Sequence, residues 1–284
     1  MSSTGSDQYA VNCILPRQRI TTVSNSDIIL INAVSRAQRD DWLKKEILRV
    51  YDENHQVYGV RKIWRQLLRE GIRVARCTVA RLMAAGVLRG KKLRTTVSRE
   101  AVAAGDRVNR QFGAERPDQL WVADFTYVST WQGFVYVEFI IDVFAGYIVG
   151  WRVSSSMETT FVLDALEQAL WARQPSGTVH HSDNGSQYVS LAYTQRLKEA
   201  GLLASTGSTG DSYDNAMAES INGLYKAEVI HRKSWKNRTE VELATLTWVD
   251  WYNNRRLLER LGHIPPAEAE KAYYASIGNN DLAA

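Results

Sequence analysis

Residues 120–153 constrain the fold more than any other stretch of the chain. Three runs of strand formers follow one another, LWVADFTYV (120–128), FVYVEFIIDVF (134–144) and YIVGWRV (147–153), with only a few residues between them. Connections that short join antiparallel neighbours, so a three-stranded meander is expected. In the first run Val122, Thr126 and Val128 share a face with Asp124, while Trp121, Ala123, Phe125 and Tyr127 take the other. A strand apolar on both faces is central in a sheet covered on both sides. Trp121, Tyr127 and Trp151 are therefore expected in the core. The apolar stretch 134–151 is broken by Glu138 and Asp142, so no membrane span is expected.

Helix and strand signals then alternate. METTFVLDALEQALWAR (157–173) has a helical apolar face, TVHHSD (178–183) reads as a fourth strand ending in the turn signal Asp183-Asn184-Gly185, and SLAYTQRLKEAG (190–201) is a helix stopped by Gly201. A short strand at 202–206, a glycine-containing loop at 207–215 and a helix at 214–230 follow, with further helices near 239–254 and 266–275. Three antiparallel strands, then helix, strand, helix, strand, helix, is the order of a ribonuclease-H-like α/β sheet.

Three carboxylates sit where such a sheet places ligands. Asp124 lies in mid-strand, where a carboxylate is costly unless it is paired or meets a metal. Asp183 falls at the C-terminal edge of the fourth strand, and Glu219 lies early on the helix after the loop. Converging carboxylates repel one another without cations, and oxygen ligands suit Mg²⁺ or Mn²⁺ rather than Zn²⁺. Two such ions, roughly 3.5–4 Å apart, assist the attacking and leaving oxygens of an in-line phosphodiester displacement. Taken singly, Asp183 fits a turn residue and Glu219 a solvated helix residue better than ligands.

Charge is polarised along the chain. Residues 1–116 carry a net +11 and residues 117–284 a net −7, within a total of +4. A basic half beside an acidic half fits a polyanion-binding part joined to a carboxylate-bearing part. Three helices are expected in the basic part, near 37–54, 58–70 and 77–85, with Trp42 on the first one's apolar stripe and Thr78 capping the third. Arg61, Lys62, Arg65, Arg69, Arg73, Arg76 and Arg81 then face outward, as in a helix-turn-helix laid on a duplex, where they neutralise phosphates. A solvated helical bundle accounts for any one of them equally well. The basic run 89–100 reads as a linker. Cys13 and Cys77 cannot form a disulfide framework, so a reduced, cytoplasmic compartment is expected.

The words WVADFTYV, HHSDNGSQY and DSYDNAMAESINGLYKAEVI, in that order and with 58 and 35 residues between the three acidic positions, resemble the catalytic core of DDE transposases related to retroviral integrases. With the upstream YGVRKIWRQLLREGIRVARCTVARLM and the terminal WVDWYNNRRLL and PPAEAE segments, residues 36–278 resemble the second-frame product of insertion-sequence transposases of the IS-three family. The resemblance implies an integrase core at 113–278, a helix-turn-helix-like domain at 36–95, a basic linker at 96–112, an unassigned arm at 1–35 and a tail at 279–284. It implies that Asp124, Asp183 and Glu219 are the metal-binding catalytic triad and that Lys226, seven residues past Glu219, contacts DNA. It also implies strand cleavage and strand transfer at element ends, action at the nucleoid, a multimer bridging two DNA ends, and an upstream reading frame that supplies a further helix-turn-helix and a coiled coil by fusion. Residues 1–35 hold only Arg17 and Arg19 as cations, so this chain alone is expected to be an incomplete transposase. Asn184 and the pair Gly146-Tyr147 depart from the basic residues common there.

Two other readings stand beside that one. A catalytically inert DNA-binding derivative needs only the basic half, and a nuclease of the same fold needs no end joining. His180 and His181 fit packed strand histidines better than ligands. Arg255 and Arg256 fit phosphate contacts and a solvated helix end equally.

Overall fold

The computed structural model describes residues 25–87, 114–183, 185–206 and 216–281. The expected linker at 96–112 and most of the N-terminal arm lie outside the described residues. The chain divides into two compact units between Lys45 and Glu46. The division falls within helix α1 (Asn25–Glu53), longer than the periodicity predicts. In the first unit Lys44 pairs with Asp41 at 2.9 Å. Trp42, expected on the apolar stripe, is 49% exposed. The buried residues are Leu43, Ile47 and Val50, a helical stripe that leaves Trp42 about 100° off its centre.

The second unit begins with α2 (Val60–Arg69) and α3 (Arg76–Leu82), which bury Ile63, Leu67, Val79 and Leu82. A π turn, Met83–Val87, continues α3. The N-cap of α3 is Ala75, without a side-chain cap, so Thr78 lies inside the helix instead of capping it. Tyr58, between α1 and α2, anchors this region to the C-terminal part of the chain. Its hydroxyl donates to the Arg255 carbonyl at 3.2 Å and accepts from the Leu257 amide at 2.8 Å.

The sheet contains β1 (Leu120–Thr130), β2 (Gly133–Asp142), β3 (Tyr147–Ser154), β4 (Val179–Ser182) and β5 (Leu203–Thr206), in the order β3-β2-β1-β4-β5. The first three strands are antiparallel; β4 and β5 run parallel to β1. With the helices α4 (Thr159–Arg173), α5 (Leu191–Glu199), α6 (Ala216–Glu228), α7 (Arg238–Asn254) and α8 (Pro266–Asp281), this is a ribonuclease-H-like α/β core. It is preceded by helix-turn-helix-like helices, as the sequence predicts.

Apolar packing covers both faces of β1. Trp121 and Ala123 join Phe161, Ala165 and Leu166 of α4 and Tyr193 and Leu197 of α5 in one core. On the other face Phe139, paired in register with Asp124, meets Tyr225 of α6 and Trp248 of α7 at ring distances of 5.2 and 5.8 Å. The α4 layer sits close because Gly150 of β3 has no side chain. A Cβ there would stand 2.3 Å from the Ala165 carbonyl oxygen. Glu138 and Asp142, which break the apolar stretch, are both buried within β2. Among the described residues no helix is long and apolar enough to cross a membrane.

Candidate active site

The register of the sheet brings the first two predicted carboxylates together. Ala123 of β1 pairs in parallel with Ser182 of β4, and each strand then delivers an aspartate at its next position. Parallel neighbours lie about 4.8 Å apart, so Asp124 and Asp183 emerge side by side where β4 ends. Asp183 is exposed, and its Oδ1 accepts the Gly185 amide at 2.9 Å. A Cβ on Gly185 would stand 2.9 Å from the same oxygen, so a larger residue there would shift the Asp183 carboxylate.

Asp124 is half-buried, and its Oδ2 accepts a 2.9 Å hydrogen bond from Nδ2 of Asn222 on α6. Burial pushes the Asp124 carboxyl up to about 6; the Asn222 bond opposes this, and the charges of Asp183 and Glu219 add to it. Glu219 is exposed in the first turn of α6, one turn before Asn222. Among the described residues, no three His, Cys, Asp or Glu side chains stand close enough to hold a metal ion. The donor set is nevertheless all oxygen and mutually repulsive, which is the chemistry of a hard divalent cation. Buried Oδ1 of Asn222 has no hydrogen-bond partner among the described residues and adds one more uncommitted oxygen beside Asp124.

Asn222 was not singled out in the sequence, although its spacing of three from Glu219 puts both on one helix face. Glu138 and Tyr188 were missed as well. Tyr188, five residues past Asp183, donates its hydroxyl to the fully buried Glu138 carboxyl, with oxygen distances of 2.8 and 2.7 Å. Burial holds the Glu138 carboxyl well above its ordinary range, with the Asp124 and Asp183 charges acting in the same direction. The pair pins the segment after Asp183 onto the central sheet. An acid inside an apolar strand was the available signal.

Lys226 is half-buried, one turn past Asn222, and its Nζ lies 5.1 Å from the centre of the Tyr127 ring. Tyr127 itself is 62% exposed, against the expectation that it fills the core. β4 pairs with β1 only through Ala123, so the end of β1 beyond that point has no β4 neighbour. Trp121 is buried as expected, and Trp151 is half-buried.

The histidines behave as packed strand residues. His180 is fully buried, 3.1 Å from the Tyr193 hydroxyl, and burial lowers it to about 4. Nδ1 of His181 lies 2.9 Å from Oγ of Ser205. Arg256 corrects both sequence readings. It is buried, paired with Glu228 at 2.5 Å and stacked on Trp251 and Tyr252, because the helix end that carries it is packed into the core.

On the basic helices, Arg61, Arg65, Arg69, Arg76 and Arg81 are exposed. Arg61 pairs with Glu259, and Arg69 pairs with Glu268 at 2.5 Å. Arg65 stacks on Trp64 with its guanidinium 4.8 Å from the ring centre. Lys62 departs from the outward expectation: it is half-buried 5.3 Å over the Tyr58 ring, and burial lowers it to about 8.

Comparison with known families matches two Integrase core domain descriptions, at residues 114–212 and 200–266, and an HTH-like domain at residues 38–95. The chain is 92% identical over 254 residues to the transposase for insertion sequence element IS629 of Shigella sonnei, covering 88% of this chain and 86% of that protein. It is 54% identical over 252 residues to a protein of insertion sequence element IS986/IS6110 of Mycobacterium tuberculosis, covering 84% and 91%. Among solved structures it resembles the HTLV-2 integrase catalytic core domain, at 13% identity and a TM-score of 0.43, over 55% of this chain and 98% of that one.

Proposed function

Because the chain belongs to the insertion-sequence transposases that carry an integrase core, we propose that Asp124, Asp183 and Glu219 form its catalytic centre for cutting and joining DNA at the ends of its element. The observation that supports this reading is the parallel register of β1 and β4, in which Ala123 pairs with Ser182, one residue before Asp124 and Asp183, while the Glu219 charge acts on Asp124.

Each part of the chain has a task in that reaction. The three carboxylates would hold Mg²⁺ or Mn²⁺, two ions in this reading. When bound, the cations supply charge stabilisation to an in-line phosphodiester displacement. Asn222, with the Phe125 backbone amide, fixes the orientation of the Asp124 carboxylate. The Glu138–Tyr188 pair positions the turn that carries Asp183. Lys226 grips a phosphate next to the reacting one. In the first step water attacks a phosphodiester at the element end and the strand leaves as a 3′-OH. In the second, that 3′-OH attacks another phosphodiester, and the displaced strand leaves with a hydroxyl. Positioning and electrostatics carry such chemistry without a covalent enzyme intermediate.

Arg61, Lys62, Arg65, Arg69, Arg76 and Arg81 are assigned to duplex DNA, where phosphates compete with exposed carboxylate partners such as Glu259 and Glu268. The protein works at the nucleoid as a multimer joining two ends, and takes specific end recognition from fusion to an upstream frame. A joining assay with pre-cut ends and Mg²⁺ tests the reading. A transposase forms joined strands, and a nuclease of the same fold yields only cleavage. An inert DNA-binding derivative yields neither. The chain and an engineered in-frame fusion are compared, with end-specific joining expected from the fusion.

A further inference from the structure

Beyond Ala123 the edge of β1 has no β4 partner, and at its end Thr130 bridges to Trp235. α6 runs beside that edge. Its contacts advance from Asp124–Asn222 to Tyr127–Lys226, three residues further along the strand and four along the helix. Where the two elements end, a cleft of about 540 Å³ opens, lined by Tyr127, Trp131, Lys226, His231, Lys233 and Trp235 among others.

The surface of this cleft is unusual for a soluble fold. Of its lining, Tyr127 is 62% exposed and Trp131 73%; beside the cleft, Phe134, edge-on to Tyr127 with ring centres 5.7 Å apart, is 58% exposed. Single exposed aromatics need no explanation, but a cluster of them interleaved with cations does. Lys226 lies over the Tyr127 ring, and Lys233, ion-paired with Glu240 at 2.6 Å, lies 4.2 Å from the centre of the buried Trp235 ring. Flat faces for stacking beside positive charges for phosphates are what a single-stranded nucleic acid requires. The position agrees. From Asp124 to Tyr127 is about 10 Å of extended strand, so the cleft lies within reach of the nucleotides next to the reacting phosphate.

We propose that this cleft is a stacking site for unpaired bases of the DNA strand that leads away from the Asp124 centre, with Tyr127 and Trp131 as its platforms. The proposal rests on the reading that the centre acts on DNA, and it adds the form of that DNA: a strand whose bases near the reacting phosphate are out of the duplex stack.

The test uses the full-length chain at low salt with two fluorescent 12-nucleotide probes of equal charge, an oligothymidylate and an abasic sugar-phosphate strand. Stacking contributes about 1–3 kcal/mol per base, and 1.4 kcal/mol is tenfold. The wild type should therefore bind oligothymidylate at least about tenfold more tightly than the abasic strand. Tyr127→Ala and Trp131→Ala should each remove about tenfold of that preference and leave abasic affinity within about twofold. Tyr127→Phe should retain it. Both side chains are largely exposed, so an unchanged melting temperature accompanies each variant. Photocrosslinking through 5-iodouracil should label the peptide holding residues 127–131. Equal wild-type affinity for the two probes, no binding of either, an unaltered preference in both alanine variants, or a crosslink confined elsewhere overturns the proposal. Mg²⁺-dependent cleavage of an element end by the engineered in-frame fusion reports separately on the Asp124 centre. Cleavage without base preference rejects the cleft alone, and base preference without cleavage rejects the catalytic assignment alone.

Discussion

The side-chain amide of Asn222 donates to Oδ2 of Asp124 across 2.9 Å, tying α6 to the middle of the central strand. The Phe125 backbone amide also bonds this carboxylate, so the group is held from its own strand and from α6. A hydrogen bond to a charged group contributes about 1.5–3 kcal/mol. Asn222→Ala should therefore slow single-turnover cleavage of an element end about 10–100-fold. Asn222→Asp should be slower still, because it adds a carboxylate to a site already crowded with them. A wild-type rate for Asn222→Ala would show that Asp124 needs no such tether.

The Glu138–Tyr188 pair makes a prediction about stability. Tyr188→Phe leaves the buried carboxyl without the donor it has now, and should cost about 1–3 kcal/mol in urea unfolding. Glu138→Gln should behave differently. The folded-state pKa of Glu138 is raised, so its protonated form is favoured in the fold. Its contribution is fully present below the unfolded value near 4.5 and is lost as pH rises towards the folded value. The variant should therefore gain stability relative to wild type between pH 5 and pH 8. A constant difference across that range would contradict the burial account.

His180 gives the opposite pH signature. Burial lowers it to about 4, from an ordinary value of 6.5. Above pH 6.5 neither state binds the proton. As pH falls from about 6.5 to about 4 the unfolded chain takes it up and the folded chain does not, so stability declines by up to about 3 kcal/mol. Below pH 4 this contribution falls no further. His180→Phe should flatten the stability curve over that window in chemical denaturation. Parallel curves would mean that the folded state accepts the proton at His180.

The element order was legible in the sequence because each strand run is short, apolar and bounded by turn signals. The acidic positions were legible because the motif words and gaps repeat a family pattern. What escaped depends on how far strands pair. Nothing in LWVADFTYV says that β4 stops at Ser182, opposite Ala123, and so nothing says that Tyr127 is exposed while Trp121 is buried. Arg256 reads as a surface cation until Glu228, one helix earlier, is seen to neutralise it. Asn222 and Tyr188 carry no charge and were outshone by the carboxylates that they support.

The basic helices make a salt-dependent prediction. Arg61 holds an exposed carboxylate and Arg65 lies on Trp64, and exposed ion pairs contribute only about 0–1 kcal/mol, so phosphate can displace them. Reversing both to glutamate should weaken duplex binding and reduce the slope of log affinity against log salt by about 2. An unchanged slope would remove both residues from the DNA contact.

The central claim is that Asp124, Asp183 and Glu219 act as one centre. It is tested most directly by Mg²⁺-dependent cleavage of a labelled element-end duplex, using Asp124→Asn, Asp183→Asn and Glu219→Gln in the transposition-competent protein, with duplex affinity measured alongside. Each substitution should lower cleavage by about a thousandfold or more, since losing the cation site removes several kcal/mol of charge stabilisation. Duplex affinity should stay within about threefold of wild type, because the basic helices are untouched. Cleavage at wild-type rates by any one of the three variants would remove that residue from the centre, and retention by all three would contradict the account.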